Sequence, residues 1–71
     1  MAEPLALSLV VFAYDEASNV PTVLPEIVTW LEGRGAPYEL IFVDDGSRDG
    51  TRAAAQAVLG QNPRAKILGH D

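Results

Sequence analysis

The chain has 71 residues, 48% of them hydrophobic and 21% charged, with ten Asp and Glu against five Lys and Arg. So short a chain is one small domain or part of one, and it buries only about 60% of its unfolded surface, which leaves a marginal core. A formal net charge of −5 argues against nucleic acid or an anionic membrane as a general electrostatic partner. Without cysteine there is no disulfide framework and no thiolate metal site. The apolar run LALSLVVFA is too short to span a bilayer and lacks the basic start of a secretory signal, so a cytoplasmic setting is the expectation.

Leu5 to Ala13 is a nearly continuous apolar run, the pattern of a strand covered on both faces. The polar stretch YDEASN breaks it. From Asn19 to Leu31, the residues Val20, Val23, Leu24, Ile27, Val28 and Leu31 recur at helical spacing. Asn19 is suited to cap that helix and Pro21 to its first turn. Pro25 is expected to kink or delay it, and Trp30, off the stripe, is expected to pack partly buried. Gly33 and Gly35 end the helix. Tyr38 to Val43 reads as a second strand. Asp49 or Ser47 can cap a second helix from about Gly50 to Leu59, with Ala53, Ala54, Ala57 and Val58 facing inward. Gly60, Asn62 and Pro63 stop it, and Ala65 to Leu68 begins a third strand.

The fold class is therefore α/β, in the order β-α-β-α-β, with connections that fit parallel strands and right-handed crossovers. This is the parallel half of a doubly wound sheet, and it is incomplete. There is no internal repeat, linker or low-complexity segment.

In such sheets ligands bind beyond the carboxyl ends of the strands. Two polar loops lie there, YDEASN after strand one and DDGSRDG after strand two. Neighbouring strands would bring Tyr14, Asp15, Glu16, Asp44 and Asp45 to one rim, with alternation sending Asp44 and Asp45 in different directions. Carboxylates there can accept bonds from a nucleobase or ribose, or help to hold a divalent cation. Gly46 permits a sharp turn and close approach of a ligand. Asp44 can equally brace the loop, Tyr14 can be an aromatic lid on the core, and Asp49 is expected to be a structural cap. Ser8 has no histidine near it in sequence to suggest a nucleophile, and the lone His70 is given no role.

These residues suggest a family. LSLVVFAYDEASNVPTVLPEI followed by YELIFVDDGSRDGT resembles the N-terminal region of family 2 glycosyltransferases, above all dolichyl- or polyprenyl-phosphate sugar transferases of the GT-A fold. Their pattern is V-V-P-A-Y-N-E, then N-[IV]-P opening a helix, then [IV]-[IV]-D-D-G-S-x-D-G-T. The second motif matches at every position from Val43 to Thr51. In the first, Phe12 replaces the usual Pro and Asp15 the usual Asn.

The resemblance implies that residues 1–71 are the N-terminal nucleotide-binding part of a Rossmann-like GT-A domain. The ligand would be a nucleoside-diphosphate sugar, with uridine or guanosine as base. By motif position, Tyr14 and Glu16 would line the nucleotide pocket and the backbone at Phe12 and Ala13 its wall. Asp45 would accept the base N–H, with Val43 packed nearby and Asp44 beside it. The family's Asp-x-Asp metal motif and later catalytic base do not occur in the sequence. The complete enzyme would need Mg²⁺ or Mn²⁺, with ligands outside this chain, and these 71 residues alone would be inactive. The parent would meet membranes through its acceptor.

Two other readings remain. A receiver-like signalling module also places an acidic pair at a strand end, but after the first strand rather than the second. A non-catalytic nucleotide-binding or assembly piece would use an exposed strand edge for self-association.

Overall fold

Along β1 (Leu7–Ala13), half-buried Leu7, Leu9 and Val11 alternate with exposed Ser8, Val10 and Phe12. That period of two gives a strand covered on one face rather than both. The computed structural model describes residues 6–46 and 49–70, so Leu5 and Ser47 lie outside the described residues. After β1 come α1 (Val20–Gly33), β2 (Tyr38–Asp45), α2 (Thr51–Leu59) and β3 (Ala65–His70). The expected β-α-β-α-β order holds, and β2 and β3 each run two residues further than the sequence pattern indicates.

The three strands form one parallel sheet in the order β1-β2-β3. Two right-handed crossovers that step in the same direction put both helices on the same side of a sheet. Here α1 and α2 do contact each other. The core lies between them and the sheet, with Leu24, Leu31, Leu40, Phe42, Ala55 and Leu59 buried. Among the described residues nothing packs on the opposite face, where Val10, Phe12 and Leu68 are exposed. A receiver-like sheet would place β1 between β2 and β3. The observed order is that of a Rossmann-like half, which removes the receiver reading.

The helices correct four details. On α1, Val20, Leu24 and Leu31 are buried and Ile27 and Val28 half-buried, but Val23 is 45% exposed. A helix against a single layer buries only a narrow stripe. Trp30 is not packed in; it is 59% exposed, with the Arg34 guanidinium 5.9 Å from its ring centroid. Pro25 does not interrupt α1, because Pro21 and Pro25 both lie on the exposed side, where water can satisfy the carbonyl that loses its partner. On α2 the inward row is Thr51, Ala55 and Leu59, with Ala54 and Val58 half-buried, while Ala53 and Ala57 face solvent. That rotation turns Thr51, fully buried, inward with Leu59.

At the other end of the sheet, the buried Tyr38 hydroxyl donates to Glu32 at the end of α1 and accepts from Asn62 at 3.0 Å. Burial, then the Glu32 carboxylate, pushes the phenol above its ordinary pKa. Arg64 covers the ring at 5.2 Å.

Because one layer supplies the whole core, truncation costs should follow the burial of each side chain. Leu31→Ala is expected to destabilise by about 2–5 kcal/mol, while Val23→Ala, on the same periodic stripe, should stay within about 1 kcal/mol. Chemical denaturation of the two variants checks this. Equal losses would mean that Val23 is as buried as Leu31.

Candidate functional site

Where the strands end, the register decides what meets. Ala13 pairs with Asp44, and Asp44 with Gly69. The YDEASN turn and the DDG turn therefore start side by side at one rim. Asp44 is 7% exposed, on the helix-covered face, and Asp45 is exposed. Adjacent carboxylates are thereby sent to opposite sides of the sheet. Phe12, 74% exposed, pairs with Val43 on the same bare face as Asp45. Tyr14, one residue past the last paired position, is 56% exposed.

The YDEASN turn runs straight into α1. The Glu16 carbonyl accepts the N–H groups of Asn19 and Val20, both at 3.0 Å. Asn19 occupies the N-cap position, but its side chain makes no cap bond; its carboxamide donates to the Glu16 carboxylate at 2.7 Å instead. The departure from the family pattern at Asp15 has a local explanation. Asp15 has φ +52°, a left-handed conformation that Asn and Asp tolerate better than other side chains. The backbone demand is met by either residue.

Asp49 does more than cap a helix. One carboxylate oxygen accepts the Thr51 N–H at 3.1 Å and the Thr51 hydroxyl. The other accepts the Ala17 N–H at 3.2 Å, across from the YDEASN turn. The Thr51 oxygen, fully buried, accepts the Glu16 N–H at 2.8 Å. Two bonds thus latch the first loop to the start of α2. Gly50 takes the N-cap position with φ +88°, and Gly46 turns the chain with φ +75°. Both angles favour glycine. Thr51 carried no expected role in the sequence. The signal for it is an Asp two residues before a Thr at a helix start, a spacing that closes a local side-chain turn.

Beside the rim, between the edge of β1 and the first turns of α1, lies a cleft of ≈ 260 Å³. Phe12, Ala13 and Glu16 line it with Asn19, Val20 and Leu24. The structure therefore gathers Phe12, Ala13 and Glu16 at this cleft, Ala13 and Asp44 by register, and Phe12, Val43 and Asp45 on the bare face. Among the described residues no group of three His, Cys, Asp or Glu side chains is placed to hold a metal ion. No helix among the described residues is long and apolar enough to cross a membrane.

The bond from the Thr51 hydroxyl, aided by the amides of Ala17 and Thr51, holds Asp49 below the ordinary aspartate pKa. A carboxylate depressed in the folded state contributes stability above its unfolded pKa, and loses it as pH falls through the folded one. Acidification should therefore release the Ala17 amide late, below the usual aspartate range. Its amide shift, followed against pH, should titrate there in the parent and lose that step in Asp49→Ala. A step unchanged by the substitution would assign it to another group.

The Glycosyl transferase family 2 model matches residues 8–71. A dolichyl-phosphate beta-glucosyltransferase of Drosophila melanogaster is 41% identical over 68 residues, covering 89% of this chain and 21% of that protein. The human dolichyl-phosphate beta-glucosyltransferase is 41% identical over 54 residues, 69% of this chain and 17% of its own length. An undecaprenyl-phosphate 4-deoxy-4-formamido-L-arabinose transferase of Shewanella sediminis is 30% identical over 63 residues, covering 89% and 19%. The chain thus spans about a fifth of the length of the curated relatives it matches. No solved structure matches it significantly. With nearly its whole length covered by the family model, the chain belongs to glycosyl transferase family 2.

Proposed function

We propose that this chain is the nucleotide-sugar-binding part of a glycosyltransferase that moves a sugar from a nucleoside diphosphate to a polyprenyl-phosphate acceptor. The observation that carries it is the Ala13–Asp44 register, which sets the two motif loops at one strand end, where parallel sheets bind ligands. The named activities of the relatives, dolichyl-phosphate and undecaprenyl-phosphate sugar transfer, supply the acceptor class.

In this reading each residue has a binding task. Asp45, exposed on the rim, accepts the base N–H, and Val43 packs beside the base. Phe12, Ala13, Tyr14 and Glu16 form the neighbouring wall. Asp44, being buried, braces the turn that presents Asp45. The latch through Thr51 and Asp49 ties the first loop to the start of α2, so less ordering entropy is lost at that loop on binding. The chain alone binds donor without transferring sugar. A lipid-linked acceptor brings the complete enzyme to a membrane surface. The edges of β1 and β3 can accept a further strand, from a second copy or another part of a longer chain.

Titration with UDP and GDP tests this, with amide shifts at residues 12–16 and 43–46 as the readout. Saturable shifts confined to those positions are expected. Asp45→Ala should weaken binding by about ten- to a hundredfold, the range for a hydrogen bond to a charged group. Nucleotide binding that is indifferent to Asp45 would remove the proposed base contact, and a silent titration would remove the reading as a whole.

A further inference from the structure

A side chain at Gly69 would have to displace an arginine. A β carbon built there would lie 1.9 Å from Nη2 of Arg52, 2.5 Å from Cζ and 2.8 Å from Nε. The guanidinium fills the place that a third side chain would take on the helix-covered face of the strand ends. Its neighbours in register are Asp44 on β2 and, beyond it, Ala13 on β1. Arg52 is the second residue of α2, and Thr51 ties the first to the YDEASN turn. The origin of the side chain is thus fixed relative to that turn.

The other cations among the described residues lie elsewhere. Arg34 sits over Trp30, Arg64 over Tyr38, and Lys66 lies 3.8 Å from Glu39; Arg48 is outside the described residues. The rim itself carries Asp15, Glu16, Asp44, Asp45 and Asp49, a field that repels a diphosphate. A planar guanidinium binds phosphate oxygens in pairs. We propose that Arg52 contacts the diphosphate of the donor and so offsets that repulsion; the assignment rests on the nucleotide-sugar reading above.

The test compares UDP and GDP with uridine and guanosine, by calorimetry at low salt. Arg52 is exposed, and its variants can be checked for folding by their amide spectra. Arg52→Ala should lose about ten- to a hundredfold in affinity for the diphosphates and nothing for the nucleosides. Arg52→Lys, which keeps the charge but not the fork, should recover part of the loss. Gly69→Ala, which displaces the guanidinium without removing it, should shift diphosphate affinity in the same direction as Arg52→Ala. Undiminished diphosphate binding by Arg52→Ala overturns the assignment. So does a loss shared equally by the nucleosides, which would mark a contact to the base or a change of fold. If the parent chain binds neither nucleosides nor diphosphates, the nucleotide reading falls and this inference with it.

Discussion

Seven paired positions join β1 to β2, from Leu7 with Tyr38 to Ala13 with Asp44. Everything at the rim depends on that alignment. Side chains alternate between faces, so a slip of one residue would turn Leu40 and Phe42 out of the core and bring Asp45 into it. The apolar burial of β2 therefore fixes which acid points where. Phe42 and Leu40 are almost fully buried, and the cost of exposing either is of the order of 2 kcal/mol or more. The register is held by the core but expressed at the site.

The same crossovers that give this register leave the sheet one-sided. Parallel sheets are normally covered on both faces, yet here both helices pack on one. Val10, Phe12 and Leu68 remain exposed on the other. Rigidity at the rim must come from elsewhere, and the loop-to-helix latch supplies it. Glu16 and Ala17 donate backbone N–H groups to Thr51 and Asp49, so the first loop is anchored to an element that follows the second. A single buried hydroxyl, with a donor bond on one side and an acceptor bond on the other, spans the distance between motifs 35 residues apart.

Much of this was legible in the sequence. Element order, parallel topology and the convergence of the two acidic loops follow from apolar runs, glycine and proline stops, and the rule for strand ends. Burial direction was less accessible. The even run LSLVVFA does not say whether a second layer covers it, since Ser8 and Phe12 are the only cues and they disagree in polarity. On α2, alanines at 53, 54, 55 and 57 carry almost no amphipathic signal. The row that turns inward, Thr51, Ala55 and Leu59, begins with a polar residue that period counting ignores. Asn19 shows the same limit: composition marks it as a cap, but Glu16 within reach offers its side chain a charged partner.

Adjacent aspartates at the end of an apolar strand pose an electrostatic cost. Two unit charges about 4 Å apart cost about 4 kcal/mol at the effective dielectric near a protein surface, and doubling the separation halves that. Strand alternation supplies the separation without any special device. Asp44 takes the covered face and Asp45 the bare one, with the sheet between them. Moving either acid one position along the chain would put it on the other's side of the sheet and restore the repulsion. Alternation holds the pair apart because the residues are consecutive and the strand continues through both, as β2 does to Asp45. A turn placed one residue earlier would lose the alternation just where it is needed, which gives a physical reason for glycine to stand at position 46 rather than before it.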